Sequence, residues 1–558
     1  MVISPIKAKP LIPIMITKKR FLEIKDEVEV AVAELFDYAK DHNSDYILFL
    51  ADAEYNDAYR GSRISPYVIS YQVDYYKEET RLEFFQYFLN SLYTFGNGAT
   101  QSTDSPFWQQ LELMIYCQIW ESNRYLKQLY RIQRLINGNL YTWQVNVIPD
   151  SSKHSFIRNT IRDGFKSKGL KIAEVITKGF HTSLRNSFLH SEFEIDDVNS
   201  KILLHTQREG NLQAHELPEI SFNDWTERFI YSVFLNYFFL KEKEKRRKNV
   251  KKDFGTDEFL VAWPRLPRRA GVRIAIGILY IYYDESRDSF YPQRNEPYTG
   301  SRIAQAPPAT SPSTTATVPI ISAQELQAIE KRSGEAVKEL LKALHNASEE
   351  KYIAWLFDVT FDKASGKYVS QTAEEKSRLQ FSATLMDEVY IKASVQLPDL
   401  IRIQMEMMIY CHVWESRLFL RQLRSAARIL SGDAVNWDEE PQSDRRLLVE
   451  DIVQKLRTSN CSIAELIDEG FHTSLRNAFA HSEFEIDPKK KEIYLDTYKP
   501  NEPWDIPSIS FSDWKQKFLA SLTLDFQLLM AKDDLRAKVE ANDVQQVLDA
   551  MNNVPIKP

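Results

Sequence analysis

The chain is expected to be mainly α, built as two duplicated helical bundles that each carry a short β-hairpin, and three features of the sequence lead there. The segment "GFHTSLRNSFLHSEFEID" (179–196) returns as "GFHTSLRNAFAHSEFEID" (470–487), changed only where Ser187 and Leu189 become Ala478 and Ala480. The likeness extends outward on both sides, which makes it a domain duplication and not a recurring short motif. Long stretches space their apolar residues at helical intervals, and 43% hydrophobic residues with only 16 Gly suit a folded helical chain.

Taken in order, "YILFLAD" (46–52) weakly answers "YIAWLFD" (352–358). Helical spacing covers 21–41, 76–94, 107–136 and 222–247, with counterparts at 324–346, 372–393, 398–431 and 511–537. In the third pair, "LELMIYCQIWES" (111–122) answers "MEMMIYCHVWES" (405–416), aligning Glu112 with Glu406, Cys117 with Cys411 and Trp120 with Trp414. Asn137-Gly138 and Ser431-Gly432 end these helices with C-cap chemistry. Gly179 and Gly470 follow short amphipathic helices and suit the left-handed cap position. A new helix then starts, capped by Thr182 or Ser183 and by Thr473 or Ser474. Beyond it, "EFEIDDVNSKILLHT" and "EFEIDPKKKEIYLDT" alternate apolar and polar residues around a polar turn, a hairpin pattern that Pro488 fits. "ISFNDWTERF" (220–229) and "ISFSDWKQKF" (509–518) open the last helix of each copy.

The duplication sets the domains at 15–254 and 321–545, with 255–320 between them. Residues 296–319 are rich in Pro, Ser, Thr and Ala and read as an extended linker, whereas 255–295 contains an apolar run expected to be a buried strand or short helix.

A net charge of -7 argues against non-specific coating of nucleic acid, and three cysteines without C-x-x-C spacing make a disulfide framework or thiolate zinc site unexpected. The proline-broken N-terminus lacks a signal-peptide core, and the apolar runs at 229–240 and 272–283 are too short to span a bilayer. A soluble, cytoplasmic protein without membrane contact is expected.

The repeated segment carries the chemistry. Asn186 and His190 stand four positions apart on one helix face, and Arg185 lies about 140° away and must reach round. At the helix end the dipole is expected to favour a protonated His190, and the same geometry holds for Arg476, Asn477 and His481. A charged fork, an orienting amide and an imidazole suit metal-free phosphodiester cleavage, in which histidine takes a ribose hydroxyl proton and arginine stabilises charge on phosphorus.

"RNSFLH" and "RNAFAH" fit the R-x4-6-H signature of the higher eukaryote and prokaryote nucleotide-binding (HEPN) superfamily, which this chain resembles most over these two segments. The resemblance implies HEPN-like bundles packed as a pseudo-two-fold pair, with a composite ribonuclease site formed by Arg185, Asn186, His190, Arg476, Asn477 and His481. It further implies RNA as substrate, no metal or other cofactor, products with a 2′,3′-cyclic phosphate, and work as a toxin or antiviral effector. Further homodimerisation and an antitoxin or regulatory partner are left open. The competing function is a non-catalytic module that holds a nucleotide, RNA or protein partner.

Blander readings accompany several residues. Arg185 would pair with Glu192 or Glu194 at a purely structural helix–hairpin junction. His181 and His472 are accessory candidates expected to cap or support, and Glu192 and Glu483 could orient an imidazole or guanidinium. Trp120, Trp225, Trp414 and Trp514 are expected in the core, Cys117 and Cys411 as small buried residues, and the basic run 241–252 as a solvated helix end.

Overall fold

A computed structural model describes residues 16–55, 67–69, 71–92, 106–145, 148–149, 152–190, 192–196, 198–204, 217–265, 275–286, 288–292, 321–362, 367–370, 372–386, 390, 398–437, 444–497, 502, 504–539 and 541–553. The linker at 296–319 lies outside them. The first half runs α1 (Lys18–His42), α2 (Tyr46–Leu50), β1 (Ala53–Tyr55), β2 (Tyr67–Ile69), α3 (Tyr71–Leu92), α4 (Pro106–Glu121) and α5 (Asn123–Ile136). There follow α6 (Lys153–Ser155), a π-helical stretch (Phe156–Arg162), α7 (Asp163–Lys166), α8 (Ile172–Gly179) and α9 (Thr182–His190). β3 (Phe193–Asp196), β4 (Lys201–Leu204) and β5 (Glu219–Ser221) lead into α10 (Phe222–Lys248). After α11 (Val250–Phe254) and strands β6 (Glu258–Arg265), β7 (Ala275–Asp284) and β8 (Ser289–Pro292), the order repeats. It runs α12 (Ala323–Ala347), α13 (Glu349–Leu356), β9 (Val359–Asp362), β10 (Lys367–Ser370), α14 (Ala373–Leu385), α15 (Asp399–Glu415) and α16 (Arg417–Ser431). The remainder is α17 (Arg445–Thr458), α18 (Ile463–Gly470), α19 (Thr473–Ala480), β11 (Phe484–Asp487), β12 (Glu492–Leu495), β13 (Ser508–Ser510), α20 (Phe511–Arg536) and α21 (Ala541–Asn553).

The protein is mainly helical with small antiparallel sheets. In each half a long first helix packs along the long last one, α1 on α10 and α12 on α20. The apolar stripe of α1, Phe21, Ile24, Val28, Ala31, Leu35 and Ala39, is buried for that reason. The four tryptophans are buried as expected, and their indoles make twin bonds: Trp225 donates to Glu112 at 3.0 Å and Trp514 to Glu406 at 3.1 Å. Trp120 donates to Ser232 at 3.0 Å and Trp414 to Ser521 at 2.9 Å. Among the described residues no helix is long and apolar enough to cross a membrane.

Several expectations need correction. The helices expected over 107–136 and 398–431 each break, at Ser122 and Ser416, because those hydroxyls cap a new helix by accepting from the backbone N–H of Tyr125 and Phe419, each at 3.2 Å. Glu121 and Glu415 therefore sit at helix ends. Gly179 and Gly470 are not left-handed; that conformation belongs to Gly138 and Gly432, as expected of those two. A Cβ on Gly470 would lie 2.8 Å from Ser521 Oγ and 3.2 Å from its backbone N, so the glycines serve close approach to the last helix. The hairpin gains a third strand, β5 or β13. β6, β7 and β8 form a three-stranded antiparallel sheet in place of a single strand or helix. Cys117 and Cys411 are half-buried, and Cys461 alone of the three is fully buried. The basic run is less solvated than expected, since Lys243 is buried against Asp52 and Arg247 against Asp288.

Helical residues from Lys153 and from Arg445 fill a gap in the sequence reading. One more residue separates Lys153 from Phe165 than separates Arg445 from Leu456, two pairs matched by their partners: Leu170 N–H donates to Phe165 O and Cys461 N–H to Leu456 O. The π-helical stretch absorbs the extra residue, which is how such bulges arise.

The halves meet reciprocally. α4 packs on α14 and α15, and α3 on α15. Gln110 Nε2 donates to Ser377 O at 2.6 Å, and its twin Gln404 Nε2 donates to Thr80 O at 2.9 Å.

Candidate active site

The start of each repeated segment is pinned by a buried tyrosine. Tyr116 accepts from His181 N–H at 2.8 Å and donates to the Gly179 carbonyl at 3.3 Å. Tyr410 does the same with His472 and Gly470 at 2.8 and 3.1 Å. The chain then turns into α9 and α19. His181 caps its helix, Nδ1 accepting from Ser183 N–H at 3.2 Å, so the Thr182 and Ser183 hydroxyls do not. His472 Nδ1 has no hydrogen-bond partner, and burial with Lys517 nearby lowers its pKa to about 4 against the pull of Asp505.

Arg185 reaches away from the hairpin glutamates. Its Nε donates to Glu121 at the end of α4, and its Nη1 donates to Asn186 Oδ1 at 2.8 Å. Arg476 forms an ion pair with Glu415, and its Nη1 donates to Asn477 Oδ1 at 2.7 Å. The junction in which Arg185 pairs with Glu192 or Glu194 is therefore not what forms. Glu121 is shared: Lys153 Nζ donates to its Oε2 at 2.9 Å and to its carbonyl at 3.1 Å. Burial pushes the Glu121 carboxyl up, but Arg185 and Lys153 more than reverse this and hold it at about 2.

The hairpin glutamates bind the opposite half. Glu192 accepts from Arg417 at 2.8 Å, while Glu483 accepts from Asn123 at 3.4 Å and lies 3.9 Å from Lys127. The two motifs are thus brought to one junction. His481 accepts at its carbonyl from Asn123 N–H at 3.1 Å, and its Nδ1 lies 3.5 Å from Lys153 Nζ. His190 has no hydrogen-bond partner at Nδ1. Burial, then Arg417, Arg185 and Arg445, lower its pKa well below the ordinary value against the opposing charge of Glu121. The expectation that the helix dipole protonates His190 is overturned, because three guanidinium charges and burial outweigh a dipole worth about 1 kcal/mol. Beneath the motifs, Leu189, Cys117 and Glu121 face Ala480, Cys411 and Glu415 across an apolar cavity of about 50 Å³. It has room for little more than water.

Sequence reasoning missed Glu121, Glu415, Lys153, Arg445 and Arg417. The first two were signalled by the "WES" shared by both copies. Among the described residues no group of three or more His, Cys, Asp or Glu converges in a metal-binding arrangement. No protein-family model, curated protein or solved structure matches this chain.

Proposed function

We propose that the protein is an endoribonuclease of the HEPN type, its two halves forming a pseudo-two-fold pair that cleaves RNA without a metal. The observation that carries the reading is the junction itself: both R-N-x-x-x-H helices end there, and each histidine is flanked by a cation from the other half. A neutral imidazole can take the 2′-hydroxyl proton, and the 2′-oxygen attacks the adjacent phosphorus to give a 2′,3′-cyclic phosphate. Arg185 and Arg476, held by Glu121 and Glu415, would be the groups that stabilise charge developing on the phosphate. Asn186 and Asn477 keep each guanidinium in plane.

The test is cleavage of labelled RNA by purified protein with and without chelator, with product ends analysed. Activity should persist in chelator and fall by at least about a hundredfold in His190→Ala or His481→Ala. Full activity in the double variant sinks the proposal. A toxin or antiviral role adds that expression arrests growth in a His190-dependent way. The internal pairing of both arginines with carboxylates favours one competing reading, a module that binds nucleotide or RNA without cutting it. It predicts RNA affinity that needs Arg185 and no cleavage under any condition.

A further inference from the structure

Lys153 is 1% exposed, and its ammonium carries three N–H donors and no acceptor. Three acceptors surround it: Glu121 Oε2 at 2.9 Å, the Glu121 carbonyl at 3.1 Å, and Nδ1 of His481 from the other half at 3.5 Å. A buried charge must have its donors satisfied, so His481 Nδ1 has to present a lone pair. A proton on Nδ1 would leave an ammonium hydrogen facing an N–H. The neutral imidazole therefore carries its proton on Nε2.

No equal arrangement exists at His190. The residue matching Lys153 is Arg445, whose Nε is 4.0 Å from Glu415, and His190 Nδ1 has no hydrogen-bond partner. The charged groups acting on His190 are Arg185 on α9, Arg417 on α16, Arg445 on α17 and Glu121 on α4. Near His481 stand Lys153 on α6, with Glu121 on α4 behind it.

We infer that Lys153 is a positioning residue acting across the junction: it fixes His481 as an Nε2–H donor and so divides the work, with His190 accepting the proton and His481 delivering one. The division of work rests on the ribonuclease reading; the tautomer does not. In the reaction the O2′–P bond forms and the P–O5′ bond breaks. The 2′-hydroxyl proton goes to His190, O5′ takes the Nε2 proton of His481, and His481 Nδ1 takes a proton from Lys153. Solvent then carries the proton from His190 to His481 Nε2 while the Nδ1 proton goes back to Lys153, which restores the resting state.

Two measurements test this. Nitrogen-15 NMR of imidazole-labelled protein, with His481 assigned from a His481→Ala sample, should show the Nε2–H tautomer in the wild type. An Nδ1–H tautomer overturns the inference without any Lys153 variant. Lys153→Arg, also a pure donor, should keep the tautomer; Lys153→Met should lose it, and an unchanged His481 signal in folded Lys153→Met refutes the role. The second measurement uses RNA whose bridging 5′-oxygen is sulfur, a leaving group that needs no proton. His481→Ala and Lys153→Met should cut ordinary RNA at least about a hundredfold more slowly but the thio substrate less than about tenfold more slowly, while His190→Ala fails on both. Rescue of His190→Ala instead inverts and refutes the assignment. Wild-type protein that cuts neither substrate refutes the ribonuclease reading and the division of work, while the NMR result still decides the tautomer.

Discussion

Replacing Glu121 by Gln keeps the shape of a side chain that is 4% exposed but removes the carboxylate that pairs with both Lys153 and Arg185. The carboxyl sits at about 2 when folded against an ordinary 4.5, so its ionised form favours the folded state by about 3 kcal/mol at neutral pH. Unpairing two buried cations gives a similar figure, about 3–5 kcal/mol. The sign follows from the depressed folded value: the contribution is complete above the unfolded pKa and is lost as pH falls from about 4.5 towards 2. The penalty of Glu121→Gln, read as the shift in urea unfolding free energy, should be about 3 kcal/mol at pH 7 and shrink to roughly 1 kcal/mol near pH 3. A loss below about 1 kcal/mol at pH 7, or one that does not shrink on acidification, refutes the pairing argument. Glu415→Gln should cost less, because Arg476 is 19% exposed and Arg445 stands 4.0 Å away.

Gly470→Ala should lower stability by about 1–3 kcal/mol in thermal melts, since its Cβ meets Ser521 backbone as well as side chain; no change would refute the close approach of Gly470 to the Ser521 backbone. Arg417→Glu should weaken the junction and Glu192→Arg should do likewise, with partial recovery in the double swap; simple additivity in a double-mutant cycle would show that the 2.8 Å pair contributes nothing. Burial and Arg378 hold His412 at about 3, so the unfolded chain takes a proton first as pH falls through about 6.5, and stability drops across that window. His412→Phe should flatten that slope in urea titrations between pH 6.5 and 4, and an unaltered slope would mean that His412 does not contribute to it.

Much of the scaffold was legible because duplication writes each element twice. The α1 and α12 stripes, the glycine ends of α5 and α16, and the hairpin alternation all follow from local periodicity. The motif residues were legible for the same reason, since Arg185, Asn186 and His190 have unchanged twins. What was not legible depends on partners far away in the chain. Ser122 sits inside continuous helical spacing, and its hydroxyl, which caps the new helix, also accepts from Arg81 at 2.8 Å, 41 positions away. Lys153 and Arg445 fall in the divergent part of each copy, 328 positions separating Lys153 from the imidazole it meets. The state of His190 was misjudged because burial, and two of the three cations that act on it, come from packing against α16 and α17, which helix-dipole reasoning within one segment does not include.

The extra residue in the π-helical stretch stands on one side of the junction only. A nucleic-acid strand has a 5′ and a 3′ end, and a cleft with two identical lips would accept it in either direction. On the ribonuclease reading proposed above, Lys153 on one side of the junction and Arg445 on the other would make a strand and the same strand reversed different complexes with different energies. Joining the halves in one chain lets each side of the junction change alone, which two copies of a single gene product, obliged to stay alike, could not do.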